Sequence, residues 1–574
     1  MTFLRFVRFL RQVEATSSRR ATVALLAEAL AELPPAELPA AVLLLQGRIA
    51  PPFTGIELGL AEIEAARALA TAAQVSEETV RQQLSQLGDL GQVAEQLLPP
   101  RPGGLTLAEV HTALLAIAHE HGAGAAGRKR AALADLLRRA SPEEARYLLR
   151  IATGTLRVGV GDATLLEALA CALLPAGRTA LPLLERAYAL TSDLAYVATL
   201  AQQGEAALRD VRLQVGKPVR MMLAERLPTP EAILARLGSH QAEYKYDGER
   251  IQVHSDGSQF VIYSRRGERV THQFPDLLAA WQATPHLPFI LEAEAVVVDP
   301  DSGALLPFQR VLNRRVKHLT PALLEAHPLK GFVFDLLHLA GEDLITLPYR
   351  ERRARLEAFL PSSPRWALAA ARPVASPEEL TAFFTEAVQA GAEGLVCKAW
   401  EGPYTAGERS TLWIKYKGPT AGRLADTLDL VIVGAWWGRG RRGGRYGSVL
   451  LAVYNAQEDR FETISRLGAG FRDEDLQQRL PALLDPLRRQ DPPPRVLAAL
   501  QPDVWFEPAI VCEVQAQELT RSPLHTAGRD QLGERGLALR FPRFVRFREE
   551  KGPYEATTVE EVLALAQASG IPLQ

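Results

Sequence analysis

The sequence predicts a multidomain fold in three parts: an all-α region first, an α+β region of mostly antiparallel strands next, and an all-β C-terminal region of the OB type. Three observations predict it. At 574 residues the chain is longer than a single hydrophobic core organises. The apolar repeat changes from helical to alternating across the polar stretch Gly204 to Gly216. After Gly418-Pro419 the strand patterns become short, with turn-rich joins. The expected boundaries are 1–208, 216–418 and 424–574, with a mobile joint near Gly418 to Leu424.

The first region is rich in Ala, Leu, Glu and Arg at 3.6-residue spacing. Ser141-Pro142-Glu143-Glu144 is a helix start, with a capping hydroxyl and proline at the first helical position. The glycine-bearing loop Gly154 to Gly161 opens another helix at Asp162. Backbone amides there suit an anionic phosphate, although a lone glycine loop reads first as an interhelical turn. The runs Arg128-Lys129-Arg130 and Arg138-Arg139 fit a solvated face equally well.

In the second region alternation marks a strand ending at Lys245 and others at Phe260 to Arg265, Pro288 to Val298, Gly331 to Leu336, Ala392 to Lys398 and Trp413 to Lys417. Asp256-Gly257 reads as a hairpin turn, and Ser376-Pro377-Glu378-Glu379 to Gly391 as a capped helix. No Rossmann or P-loop fingerprint is present. The third region offers strands at Leu428 to Ala435, Ser448 to Tyr454, Arg460 to Ser465, Trp505 to Val514 and Phe541 to Phe547. Between the first two, beside Trp436-Trp437, lies the arginine- and glycine-rich loop Gly438 to Gly447, suited to phosphate oxygens and a minor groove.

Composition narrows the classes. A hydrophobic content of 47% gives each region material for a core. A formal net charge of −2 announces no nucleic-acid partner, so such binding would rest on local arginine clusters. Cys171, Cys397 and Cys512 lie far apart in apolar runs, which excludes a zinc ribbon and disfavours a disulfide framework. With no signal-peptide pattern and no uncharged apolar stretch of spanning length, a soluble cytoplasmic protein is expected.

One hexapeptide carries reactive chemistry: Lys245-Tyr246-Asp247-Gly248-Glu249-Arg250, at the end of a strand. An ammonium group is no nucleophile, and its pKa near ~10.4 must fall by burial or neighbouring cations before the amine attacks at neutral pH. An isolated match of this kind is more often a surface lysine before an Asp-Gly turn.

The pattern K-x-D-G-x-R resembles the first signature of the covalent nucleotidyltransferases, which comprise ATP-dependent DNA ligases, RNA ligases and mRNA capping enzymes. The others follow in order: SRRGE (from Ser264), ILEAEAV (from Ile290), FVFDLL (from Phe332), AEGLVCK (from Ala392), WIKYKG (from Trp413) and LRFPRFVRFREEK (from Leu539). The last resembles DNA ligases specifically. The helical stretch Arg150 to Thr164 is similar to the DNA-binding domain of archaeal-type and eukaryotic replicative DNA ligases, which grips the nick without reading sequence. Cys397 and Glu550 depart from the usual aliphatic residue and aspartate, both conservatively.

The resemblance implies an ATP-dependent DNA ligase with a nucleotidyltransferase (adenylation) domain in the middle. Lys245 takes AMP from ATP, passes it to the 5′-phosphate at a nick in duplex DNA, and the 3′-hydroxyl then seals the strand. Lys415 and Lys417 are expected at the α-phosphate, Arg250 and Arg265 at ribose and phosphate oxygens, and Arg409 at the nucleotide. Phe334 is expected to stack on adenine while Glu243 reads its edge. Glu294 and Glu393 are expected at Mg²⁺, with Mn²⁺ as a substitute, and Glu294 also at the ribose. Arg540, Arg543 and Lys551 are expected to act on pyrophosphate from a barrel swung over the pocket. Seen singly, Phe334 reads as core and the two glutamates as strand-edge charges. A replication clamp or repair proteins are candidate partners, and a monomer, associated with the nucleoid when on DNA, is expected. The alternatives are an RNA ligase, a capping-type nucleotidyltransferase, or a catalytically silent clamp on nicked DNA.

Overall fold

The structure, a computed structural model, describes residues 1–16, 18–87, 89–156, 160–281, 287–306, 309–312, 314, 316, 319–418, 427–437, 445–516, 518–568 and 571. The joint expected at 418–424 and the basic loop at 438–447 therefore lie almost wholly outside the described residues, as do 157–159 of the glycine loop.

Helices run from Phe3 to Arg209, as the 3.6-residue repeat requires. The Ser141 box forms: its hydroxyl accepts from Glu144 N and Glu144 accepts from Ser141 N. Helix Asp162–Leu173 begins with its own carboxylate. Asp162 accepts from Arg220 at 2.9 Å and from Tyr188 at 2.6 Å, so part of this N-terminus is already electrostatically satisfied. The apolar faces of these helices form one core, which continues onto Met222, Ile290, Leu337, Tyr404 and Trp413 of the next region.

The middle region contains β1 (Leu223–Arg226), β2 (His240–Lys245), β3 (Glu249–Asp256), β4 (Phe260–Ser264), β5 (Pro288–Val297), β6 (Leu329–Leu339), β7 (Glu342–Asp343), β8 (Trp366–Leu368), β9 (Ala371–Val374), β10 (Gly394–Ala399) and β11 (Arg409–Tyr416). One sheet has the order β1-β11-β10-β2-β9, and a second runs β4-β3-β5-β6-β7 with β8 beside β6. Among the described residues only the β1–β11 and β6–β8 pairs are parallel within these sheets, in line with the antiparallel expectation.

The period of two aims the chemistry. In β10, Leu395 and Cys397 are buried in a core with Ala242, Ile414 and Tyr416, which sends Val396 and Lys398 to the opposite face. In β11 the same alternation pairs Trp413 with Lys415 on that face. In the second sheet Ile251, Leu291, Ala293 and Ala295 enter a separate core. Arg250 of β3 and Glu294 of β5, register partners, thereby face the same cleft as the first sheet's polar row.

The third region is a curled sheet. Strand Leu428–Trp437 pairs with Tyr446–Asn455 along much of its length, with Val511–Gln515 at its start and with Val504–Phe506 near its end. Strand Arg543–Phe547 joins Val511–Gln515. The expected strand from Phe541 starts later, because Phe541 sits at φ +52° and Pro542 has no amide to donate. Helix Val559–Ala568 is the last described helix. Cys397 and Cys512 are buried, whereas Cys171 is exposed despite its apolar run; all are unbridged. No helix among the described residues is long and apolar enough to cross a membrane.

Candidate active site

A cavity of about 360 Å³ opens between the two middle sheets and is roofed by the curled sheet and its final helix. Lys245 reaches it from the last position of β2. Its Nζ lies 2.5 Å from Glu393 Oε2, and Lys417 Nζ lies 3.3 Å from the same oxygen. Burial opposes ionising Glu393, and Lys245 and Lys417 more than offset it, holding that carboxyl well below the usual carboxylate range. Gly248 permits the close approach of the opposite wall: a Cβ there would sit 2.5 Å from the Ala295 carbonyl and 2.9 Å from Glu294 Cγ.

Glu294 is the other wall carboxylate. Burial pushes its pKa up to about 7, Lys245 and Arg250 pull it down, and Glu393 and Asp247 push it up again. Two carboxylates that repel one another in one cavity suit a hard divalent cation, whose charge would relieve that repulsion. Among the described residues no group of three or more His, Cys, Asp or Glu side chains is assembled in advance.

Arg250 donates to Glu292 and to the Met222 carbonyl, both at 2.8 Å, with its guanidinium 5.2 Å from the Phe334 ring centre. Phe334 lines the cavity. Glu243 lines it too and is buried among Tyr349, Arg353 and Lys398. Arg265 donates to Glu555 at 3.1 Å, whereas Arg409 donates to Glu561 at 2.5 Å. Lys415 Nζ lies 3.7 Å from Glu561. Glu561 is also the third helical residue of a capping box, accepting from Thr558 N at 2.9 Å.

Thus Glu243, Lys245, Arg250, Arg265, Glu294, Phe334, Glu393, Arg409, Lys415 and Lys417 all line one cavity. Arg540 and Arg543 do not. Both are exposed and flank the turn at Phe541-Pro542, and the strand after that turn, with the residues that follow it, brings Arg546, Arg548 and Lys551 to the wall instead. Lys551 pairs with Asp429, which Arg548 also contacts at 2.9 Å. Burial depresses Lys551 to about 8 against the pull of Asp429. Asp429, Glu555 and Glu561 were not singled out in the sequence. Asp429 opens an apolar strand, and Glu561 reads as an ordinary first-turn helix acid. The Thr558-Val-Glu-Glu561 capping pattern is the signal that could have found Glu561.

Three family models match the chain: "DNA ligase N terminus" over residues 2–170, "ATP dependent DNA ligase domain" over 221–417, and "ATP dependent DNA ligase C terminal region" over 442–551. The chain is similar to a "Probable DNA ligase" of Persephonella marina, at 43% identity covering 98% of each chain. It is 44% identical to a "Probable DNA ligase" of Aquifex aeolicus, covering 97% of each chain. To a "DNA ligase" of Sulfophobococcus zilligii the identity is 41%, covering 98% of this chain and 96% of that one.

Proposed function

The chain belongs to the ATP-dependent DNA ligases, and on that premise we propose that Lys245 is the residue that carries AMP between ATP and a nick in duplex DNA. Nick sealing through adenylated intermediates is the general activity of the family. The observation that carries the assignment to Lys245 is its position, at a strand end inside the cavity, within 2.5 Å of Glu393 and sharing that carboxylate with Lys417.

Once its proton has left, the Lys245 nitrogen attacks the α-phosphorus of ATP, the bond to the β-phosphate breaks in line, and pyrophosphate leaves. The DNA 5′-phosphate then takes AMP from Lys245, and the 3′-hydroxyl attacks that phosphate, expelling AMP. Lys415, Lys417 and Arg409 supply positive charge for the phosphoryl oxygens, while Arg250 and Arg265 offer planar forks to ribose and phosphate. Phe334 gives a stacking face to the base. Mg²⁺, held by Glu294 and Glu393, would neutralise charge growing on the transferred phosphoryl group. Arg546, Arg548 and Lys551 are barrel cations already at the cavity. Arg540 and Arg543 would act on pyrophosphate only after the barrel turns.

The same reading assigns nick binding to helical residues 1–208, adenylation to 216–418 and closure to 424–574, in a monomer. It places the protein in the cytoplasm, on the nucleoid while engaged, recruited by a clamp or repair proteins. The test is incubation with α-labelled ATP and Mg²⁺, a denaturing gel, then a chase with nicked DNA, beside Lys245→Ala. Covalent label on wild type alone, discharged as sealed DNA, is expected. Label discharged only on RNA ends would overturn the DNA assignment, and DNA binding without covalent label would leave a silent clamp.

A further inference from the structure

Glu243 occupies the middle of β2, two residues before Lys245, so both side chains leave the same face of the strand and both line the cavity. Its carboxylate is surrounded by donors from two other elements. Helix Tyr349–Phe359 supplies Tyr349 and Arg353, which four-residue spacing places on one helical face. The Tyr349 hydroxyl donates to Glu243 Oε1, and Arg353 Nη1 donates to the same oxygen at 3.2 Å. Strand β10 supplies Lys398, whose Nζ lies 2.7 Å from Oε2. Lys398 is itself fixed: it donates to the Phe334 carbonyl at 2.9 Å and sits 4.3 Å from the Trp413 ring centre and 4.9 Å from those of Phe334 and Tyr349. Tyr349 and Lys398 are essentially inaccessible to water, and Glu243 is 2% exposed.

A carboxylate offers about four acceptor lone pairs and no donor. Tyr349 and Arg353 use the pair on Oε1, and Lys398 uses one on Oε2. These contacts leave one acceptor direction, on Oε2, and Glu243 and Phe334 both line the cavity. A purine stacked on Phe334 would present the group at its position 6 to such a wall. An amino group there donates a hydrogen into that lone pair, whereas an oxo group sets a second acceptor against a charged oxygen. A position bearing only hydrogen leaves the lone pair unmet.

We propose that Tyr349, with Arg353 and Lys398, is a positioning residue that fixes Glu243 with one remaining acceptor direction, and so sets the enzyme's preference for 6-aminopurine over 6-oxopurine nucleotides. The hydroxyl of Tyr349 is the discriminating part. Without it Oε1 regains a lone pair, the carboxylate turns toward Arg353, and the acceptor direction on Oε2 swings out of line with the base. Tyr349 does not touch the reacting atoms, so the phosphoryl step itself is untouched.

This inference rests on the ATP-dependent lysyl-AMP reading above, and the test separates the two. Full-length protein and Tyr349→Phe are given labelled ATP, purine riboside triphosphate (hydrogen at position 6) or ITP (oxo at position 6). The apparent KM and the maximal rate of covalent labelling are measured for each. Wild type is expected to favour ATP over purine riboside triphosphate by at least ~10-fold in KM, the size of one charge-assisted hydrogen bond. In Tyr349→Phe the ATP KM should rise about tenfold while the purine riboside triphosphate KM and both maximal rates stay, and ITP should gain relative to ATP. Arg353→Met, which removes the other donor to Oε1, should move the ratio the same way and keeps the test open if Tyr349→Phe fails to fold. An unchanged ratio, whether both constants rise together or neither moves, would overturn the inference alone. No label from ATP on wild type would overturn the function reading and this inference with it.

Discussion

Glu561→Gln should release the roof of the active site. Glu561 stands on the final helix and pairs with Arg409 at 2.5 Å and Lys415 at 3.7 Å, with side-chain exposures of 15%, 29% and 27% for the three residues. Glutamine keeps the third position of the capping box, which accepts either residue, so the helix is preserved and only the charge goes. An exposed ion pair contributes ~0.2–1 kcal/mol, and breaking a buried one costs about 3–5 kcal/mol. Two partly exposed pairs therefore hold the closed form by about 2–4 kcal/mol, a ~30- to ~700-fold shift in the ratio of closed to open molecules. Arg265–Glu555 at 3.1 Å and the Thr164–Asp459–Arg495 cluster remain among the other ties on the barrel. Small-angle scattering reads the outcome. Wild type should expand as salt rises and screens these pairs, while Glu561→Gln should already be expanded at low salt. Superimposable curves for the two proteins at both salt concentrations would refute the reasoning.

Further predictions follow from the same geometry. Arg352 is fully buried, donating to both Asp335 oxygens at 2.8 and 2.9 Å and to the carbonyls of Leu347 and Gly402. Arg352→Ala should cost about 3–5 kcal/mol and lower the Tm by ~6–20 °C, and a fall under ~3 °C in a thermal melt would contradict the packing described. Glu294, raised from 4.5 to about 7, binds its proton more tightly folded than unfolded. Its contribution to stability is therefore complete below about pH 4.5 and is lost as the pH rises through about 7. A divalent cation must displace that proton, so the Mg²⁺ concentration for half-maximal Lys245 labelling should fall about tenfold from pH 6 to pH 8. Glu294→Gln should flatten that dependence, and an unaltered slope would detach Glu294 from the metal. Gly248→Ala would press a Cβ against Ala295 and Glu294, shifting β5, and should slow Lys245 labelling by ~100-fold with a folded far-UV spectrum. Labelling at the wild-type rate would show that the strand yields without cost.

Much of the molecule was legible in one dimension, because the signals concerned are local. Helical spacing through residue 209 and alternation around Lys245, Glu294 and Lys415 each follow from side chains a few positions apart. The alternation also explains why Glu243 and Lys245, or Trp413 and Lys415, share a face, and why the ordered motifs named the cavity's lining well. Register, by contrast, was not written locally. That Arg250 stands opposite Glu294, and Lys245 opposite Gly394, depends on strands far apart in sequence.

What only the tertiary structure decided was the pairing of charges between distant elements. The sequence determined that Arg540 and Arg543 belong to a basic strand motif, but the strand's pairing with Val511–Gln515, whose register shifts between Phe544 and Arg546, accompanies the placing of Arg546, Arg548 and Lys551 at the cavity. Nor does one dimension show that the Glu561 carboxylate of the final helix meets Arg409 of β11, 152 positions away. The same holds for Glu243, whose position two residues before Lys245 fixed its face, while its partners came from residues 349, 353 and 398. The reason is physical: backbone periodicity is set by neighbours along the chain, whereas an ion pair or hydrogen bond depends on a separation in space that only the packed domains define.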